Sequence, residues 1–153
     1  MSTTADKLPV TAAILAGGRS QRMGVDKTLL EIDGVPMLSR VAQAMREVCD
    51  TVFVVTTRPE AAAEADLPAG VGIITDEVDY QGPLGAIATA LAQAPGEWVL
   101  AVAADMPWVS PAVVRALWEQ RGDADVVVPR DESGLEPLLA LYSVAAALPA
   151  ARR

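Results

Sequence analysis

The chain has 153 residues and 52% of them are apolar, which is enough for one compact domain with a real core. It contains no histidine and a single cysteine, Cys49, which excludes disulfide frameworks, zinc sites built on imidazole or thiolate ligands, and catalytic triads that use histidine. The net charge of −8 argues against a nucleic-acid surface, because binding to a phosphate backbone depends on clustered Lys and Arg.

Signals of membrane insertion and secretion are missing as well. No run approaches the roughly 20 apolar residues that a bilayer span requires. Residues 1–8 lack the cationic flank and apolar stretch of a secretory signal. We therefore expect a cytoplasmic protein that binds neither membrane nor nucleic acid, and in which any metal is held by oxygen. A local cluster of Arg19, Arg22 and Lys27 in a glycine-rich segment suits a small anionic ligand.

The first part of the chain is predicted to form a strand, a long loop, a helix and a second strand. Residues 10–16 are an apolar run of strand length, and the next helical pattern begins only after Pro36. That helix, 37–48, places its apolar side chains on one face at three- and four-residue spacing, which is typical of a core-facing helix. The β-branched run 51–57 is the second strand.

The middle of the chain continues the alternation. We predict a short helix over 60–65, a third strand over 71–75 and a helix from Gly82 to Ala94. Residues 98–104 are apolar throughout, as expected of a strand buried on both faces. This run is predicted to be the central strand.

The last part adds a helix and two further elements before the tail. Ser110 followed by proline predicts an N-cap and a helix over 111–121. A strand is predicted over 124–129, another regular element over 137–142, and a helix starting near Ser143. Strands alternating with helices imply an α/β fold, with a doubly wound, mostly parallel sheet and helices on both faces.

Conspicuous residues follow three of the predicted strands. Gly17-Gly18, Asp76 and Asp105 each come directly after one. Ligands of such sheets bind at the carboxyl ends of the strands, where loops reverse direction. These distant positions are therefore predicted to converge on one crevice.

The segment 15–27, LAGGRSQRMGVDK, combines glycines with cations. Glycines let a loop expose successive backbone N–H groups to an anion, and Arg22 and Lys27 add the positive charge that a triphosphate requires. The spacing matches neither a Rossmann GxGxxG motif nor a Walker A loop. The residues alone therefore indicate a phosphate site, and a surface loop with solvated cations is the alternative.

The string LAGGRSQRMGVDK, followed by LLEIDGVPML, resembles the signature of nucleotidyltransferases related to molybdenum cofactor guanylyltransferase. The similarity continues through Asp76 and the segments 82–87, 104–107 and 136–142, so it covers nearly the whole chain. The resemblance implies a Rossmann-like nucleotidyltransferase fold. It also implies transfer of GMP from GTP to a molybdopterin acceptor, Mg²⁺ as the metal, and molybdoenzyme-maturation proteins as partners.

The resemblance also implies roles for individual residues. Arg22, Lys27 and Asp105 are assigned to catalysis, and Asp105 is assigned to the metal. The residues assigned to nucleotide binding are Leu15, Ala16, Gly17, Gly18, Lys27, Asp76, Gly82, Pro83, Leu84, Gly85 and Asp105.

Each role has a structural alternative. Asp76 could begin a turn, and Gly82-Pro83 could only start a helix. Asp105 is the strongest candidate, because a carboxylate next to an apolar strand is costly unless it finds a cation or donors, although it could cap the following turn. Cys49 is interpreted as an inert residue at a helix end. The three tryptophans, Trp98, Trp108 and Trp118, are interpreted as core or interface residues rather than a stacking platform.

The choice of base rests on one position. Relatives that transfer cytidylate tend to carry LAAG where this chain has LAGG at 15–18, and the second glycine leaves room for a purine, so guanine is favoured. A cytidylyltransferase, a sugar-1-phosphate nucleotidyltransferase and a non-catalytic nucleotide-binding module are the alternatives.

The chain departs from the family pattern at two places. The asparagine that relatives often carry near the end of the second strand is absent from 55–58, where a threonine could replace it. The chain is also expected to form a single domain that lacks the family's C-terminal segment.

Overall fold

A computed structural model describes residues 6–16, 29–76 and 82–151 of the chain. Helices and strands alternate along most of it. In chain order the elements are β1 (Leu8–Leu15), β2 (Glu31–Ile32), β3 (Val35–Pro36), α1 (Met37–Val48), β4 (Cys49–Thr56), α2 (Pro59–Ala63), β5 (Gly72–Thr75), α3 (Gly82–Gln93), β6 (Trp98–Ala103), α4 (Pro111–Glu119), β7 (Val126–Val127), β8 (Arg130–Asp131), β9 (Gly134–Leu135), β10 (Leu139–Ser143) and α5 (Val144–Ala151).

Six strands form the main sheet, in the order β5-β4-β1-β6-β10-β7. The neighbours β5, β4, β1 and β6 run parallel, whereas β10 is antiparallel to both β6 and β7. The predicted α/β class with a mostly parallel sheet is confirmed. The run predicted as the central strand is also confirmed, because β6 and β1 occupy the two middle positions.

Helices cover both faces of the sheet because the strands are apolar on both sides. In β1, Ala12 and Ile14 belong to a core cluster with α1 and α4, whereas Ala13 between them belongs to a second cluster with α3. In β6, Leu100 and Val102 alternate with Val99 and Ala101 in the same way. Successive side chains of a strand point to opposite faces, so each continuous apolar run contributes side chains to both cores.

The long helices begin where the sequence predicts. Helix α1 has the predicted bounds, and its predicted core face, Leu38, Val41, Met45 and Val48, is fully buried. Helix α4 starts after Ser110, whose Oγ accepts a hydrogen bond from the Val113 N–H at 3.4 Å, as expected of an N-cap.

The small strands were predicted poorly. The strand expected over 124–129 is reduced to β7, and the element expected over 137–142 is the antiparallel strand β10, followed by α5 as expected. Two hairpins, β2–β3 and β8–β9, were not predicted. In the first, Asp33 and Gly34 both have positive φ, 52° and 81°, which is the backbone of a type I′ turn and explains the Asp-Gly sequence. Strands of two residues leave almost no periodic pattern to recognise.

No helix among residues 6–16, 29–76 and 82–151 has the length and apolar character needed to cross a membrane.

Cys49 lies at the junction of α1 and β4, where it is completely buried. Its position at a helix end is therefore confirmed. Burial, reinforced by the nearby charge of Asp50, raises the pKa of the thiol to about 12. The thiol stays protonated at neutral pH, as expected of an inert residue.

The raised pKa of Cys49 predicts a loss of stability in alkali. The unfolded chain ionises this thiol near pH 9.0, whereas the folded protein keeps the proton up to about pH 12. Between these two pH values the unfolded state binds fewer protons than the folded state. The contribution of this thiol to the free energy of unfolding should therefore fall by about 1.4 kcal/mol per pH unit. Urea titrations at about pH 8 and about pH 10 measure the slope.

Cys49→Ala should lack this part of the slope. Burial also raises the pKa of Tyr142, but this residue is present in both proteins, so its contribution cancels from the comparison. An equal pH dependence in the wild type and the variant would show that the thiol does not titrate as described.

Candidate active site

Four parallel strands end at the same edge of the sheet, and backbone hydrogen bonds hold their ends in register. The Asp76 N–H donates to Thr56 O at 2.8 Å, the Ala16 N–H to Val55 O at 3.0 Å, and the Ala104 N–H to Leu15 O at 3.1 Å. The order along this carboxyl edge is therefore β5, β4, β1 and β6. Such an edge is where ligands of open α/β sheets bind.

Asp76 and Asp105 both lie at this edge, as the sequence predicted. Three strand spacings separate β5 from β6, which is about 14 Å at the usual spacing of 4.7–4.9 Å. The two carboxylates are therefore too far apart to share one cation. They would contact different parts of an extended ligand that lies along the edge.

Leu15 and Ala16 stand at the end of β1, between these two positions. Their backbone groups are partly used by the sheet, since Leu15 O accepts from Ala104 and the Ala16 N–H donates to Val55. The Ala16 N–H is therefore not available to a phosphate. The other predicted anion contacts, Gly17, Gly18, Arg22 and Lys27, lie outside the described residues, and their roles stay predictions.

Asp105 projects from the turn that connects β6 to α4. Its side chain is exposed, so the sequence argument that it needs a partner to offset burial is wrong. The N-cap of α4 is Ser110, so Asp105 has no role in starting that helix. An exposed carboxylate at a ligand edge is nevertheless suited to a hard cation, which prefers oxygen ligands.

A cation at Asp105 would need ligands beyond this carboxylate. In the described parts of the chain, no group of three or more Asp, Glu or Cys side chains could hold a metal ion. Mg²⁺ is usually bound by one or two carboxylates together with substrate phosphates and water. A single exposed Asp fits that donor set.

Asp76 is half-buried and is held by helix α3. Thr89 Oγ1 lies 3.0 Å from Asp76 Oδ1 and 3.1 Å from Gly85 O, so its single proton is shared between the two acceptors. Sequence reasoning missed Thr89, although it is one of only two polar side chains in α3. A hydroxyl in an otherwise apolar helix could have been recognised as a signal.

The start of α3 lies at the same edge. The helix begins at Gly82, so the interpretation of Gly82 and Pro83 as the start of a helix is confirmed. Leu84 in the first turn is 61% exposed and therefore accessible to a ligand, whereas Gly85 is half-buried.

Thr56 is one of two threonines in the stretch 55–58, where the resemblance leads one to expect an asparagine. This residue is buried, and its Oγ1 accepts a hydrogen bond from the Arg58 N–H at 2.9 Å. The hydroxyl is thus already hydrogen-bonded within its own loop. The next two residues, Thr57 and Arg58, are exposed and offer polar side chains to solvent.

The three tryptophans lie in two different places. Trp98 and Trp118 are half-buried at the opposite, amino edge of the sheet, with ring centroids 6.1 Å apart at 82° and the Arg121 guanidinium 3.5 Å from the Trp118 ring. Their interpretation as packing residues is confirmed. For Trp108 a core position is wrong, because the side chain is 74% exposed on the turn that follows Asp105.

The contact between Thr89 and Asp76, which the resemblance assigns to the nucleotide, predicts a role for Thr89 in nucleotide affinity. Thr89→Val keeps the shape of the side chain but removes the proton that orients the carboxylate. We expect GTP binding, measured by calorimetry, to weaken by about threefold to tenfold, since a hydrogen bond contributes about 0.5–1.5 kcal/mol net. Thr89→Ser retains the hydroxyl and serves as the control. Equal affinities in the two variants would contradict a positioning role.

Comparison with known proteins identifies the family. The family model of the MobA-like NTP transferase domain matches residues 12–153. A relative from Pelotomaculum thermopropionicum, named "Probable molybdenum cofactor guanylyltransferase", is 40% identical over 136 residues, which cover 89% of this chain and 64% of the relative. A relative of the same name from Natronomonas pharaonis is 38% identical over 135 residues, covering 86% of this chain and 67% of the relative.

A solved structure has the same fold. It is described as molybdopterin-guanine dinucleotide biosynthesis protein A from Archaeoglobus fulgidus and superposes with a TM-score of 0.75 at 26% identity, covering 94% of this chain and 71% of the other. This chain spans about two thirds of the length of the two curated relatives. The matches include the strands β1, β4 and β6 that build the carboxyl edge. The chain therefore belongs to the family of MobA-like NTP transferase domains.

Proposed function

We propose that the protein transfers GMP from GTP to a molybdopterin acceptor and releases pyrophosphate. The hydrogen bond between Ala104 and Leu15 is the observation that carries this proposal, because it joins the turn of Asp105 to the end of β1, from which the glycine-rich segment continues. A carboxylate and a predicted phosphate-binding segment thus leave the sheet from adjacent strands. The curated relatives and the Archaeoglobus structure, through their names, support the choice of reaction.

The chemistry needs no general base. A phosphate oxygen of the acceptor attacks the α-phosphorus of GTP, a new P–O bond forms, and the bond to the bridging oxygen of the β-phosphate breaks as pyrophosphate leaves. The attacking phosphate is already ionised at neutral pH, so catalysis consists of in-line positioning and neutralisation of charge on the phosphate oxygens. A protein without histidine can supply both.

Charge neutralisation is assigned to three residues. Lys27 and Arg22 contact the phosphates, and Asp105 holds a divalent cation, which we propose to be Mg²⁺. When bound, this cation stabilises negative charge on the phosphate oxygens as a Lewis acid. The exposed Asp105 carboxylate leaves the remaining coordination positions to phosphate and water.

The nucleoside is assigned to the other end of the edge. Asp76, fixed by Thr89, and the backbone of Gly82, Pro83, Leu84 and Gly85 contact the base and the ribose. The distance of about 14 Å between the strands of Asp76 and Asp105 gives these carboxylates separate roles, one at the nucleoside and one at the phosphates. Guanine as the base, molybdoenzyme-maturation partners and a cytoplasmic location stay predictions.

The proposal predicts the outcome of a pyrophosphate-release screen. GTP, CTP and ATP are compared with Mg²⁺, each with and without molybdopterin, and release should require both GTP and the acceptor. Asp105→Asn and Lys27→Ala should each lower the rate by about 100-fold to 1000-fold, as the loss of one group that stabilises transition-state charge commonly does. Their urea unfolding curves should match that of the wild type.

A matched control tests whether the effect depends on position. Asp123→Asn removes the same charge from an exposed residue beyond the end of α4, at the opposite edge of the sheet, and should leave the rate unchanged. Near-normal activity of the Asp105 or Lys27 variants would contradict the assigned roles. Preference for CTP would make the protein a cytidylyltransferase, and GTP binding without release would make it a nucleotide-binding module.

A further inference from the structure

Trp108 is the most exposed of the large apolar side chains in the described residues. It is 74% exposed and lies three residues after Asp105, on the connection from β6 to α4. Burial of an indole contributes more to stability than burial of almost any other side chain. A tryptophan held in solvent beside a ligand edge has its ring free to contact a ligand.

The turn that carries Trp108 is fixed on both sides of the indole. The Met106 N–H donates to Ala103 O at 3.3 Å, and the Val109 N–H donates to Met106 O at 3.1 Å. Val109 is buried, and Met106 packs against the core formed by α1 and α4. Asp105 and Trp108 are thus presented to solvent by a turn whose other side chains anchor it.

The position of Trp108 separates it from the nucleoside end of the edge. Asp76 and the start of α3 lie at the β5 side, and α3 packs on one face of the sheet. Trp108 lies at the β6 side, next to the start of α4, which packs on the other face. With the phosphates at Asp105, Trp108 therefore lies beyond them, on the side away from the nucleoside.

We propose that Trp108 is the stacking surface for the planar pterin ring of the acceptor, an inference that rests on the proposed function. A fused heteroaromatic ring offers a π-face to an indole in the way a nucleic-acid base does. Asp105 and Trp108 are only three residues apart on one anchored turn. That turn fixes the acceptor ring relative to the cation that holds the phosphates.

Steady-state kinetics with two variants test the assignment. Trp108→Ala should raise the KM for molybdopterin by about tenfold, equivalent to about 1.4 kcal/mol, and leave the KM for GTP unchanged. Trp108→Phe retains an aromatic face and should recover most of the affinity. The control is Val113→Ala, which shortens an exposed apolar side chain on the nearby helix α4 and should change neither constant.

Tryptophan fluorescence gives a readout that does not depend on turnover. Trp98 and Trp118 lie at the opposite edge of the sheet, so contact quenching by added molybdopterin should come from Trp108 and be largely lost in Trp108→Phe. Quenching in a wild-type protein that releases no pyrophosphate would support the stacking role while the proposed function fails.

Two results would overturn the stacking role. One is an unchanged KM for molybdopterin in Trp108→Ala while the wild type transfers GMP. The other is self-association of the wild type, measured by sedimentation, that Trp108→Ala abolishes without any effect on molybdopterin quenching. In that case the exposed indole would serve as an interface between copies of the chain.

Discussion

Parallel pairing of four strands is the constraint on which the rest of this structure depends. It aligns the carboxyl ends of β5, β4, β1 and β6, and the hydrogen bonds made just beyond the strands, such as Ala104 to Leu15, hold that alignment into the loops. Residues distant in sequence thereby reach one edge in a fixed order. The separation of the Asp76 and Asp105 positions is set by the spacing of hydrogen-bonded strands and not by the loops that carry them.

The two cores explain how that edge is made rigid. Strands β1 and β6 send alternate side chains into clusters on opposite faces, so each face acquires helices that start at the carboxyl edge, α3 on one side and α4 on the other. Thr89 connects α3 to the edge through the Asp76 carboxylate, and Ser110 caps the start of α4. The candidate site is thus supported by both layers of helices.

Long periodic elements could be predicted from sequence because burial alone determines them. The bounds of α1 follow from an amphipathic face, and β6 from an uninterrupted apolar run. The edge position of Asp105 was predicted correctly from its place after a strand, whereas the burial argument used for its metal role was wrong, since the carboxylate is exposed. The exposure of Trp108 depends on tertiary neighbours, which single-residue propensities do not encode, whereas the Asp-Gly pair of β2–β3 and the hydroxyl of Thr89 are local signals that went unrecognised.

The packing of Trp98 against Trp118 connects β6 to α4 at the amino edge of the sheet. The two rings join the first residue of β6 to the last turn of α4, and the Arg121 guanidinium, bonded to Trp118 O at 2.8 Å, closes the contact. Strand and helix are therefore fastened at one end and connected by the anchored turn of Asp105 at the other. We expect β6 and α4 to move together for this reason, which places the hinge of any opening around a substrate in other segments.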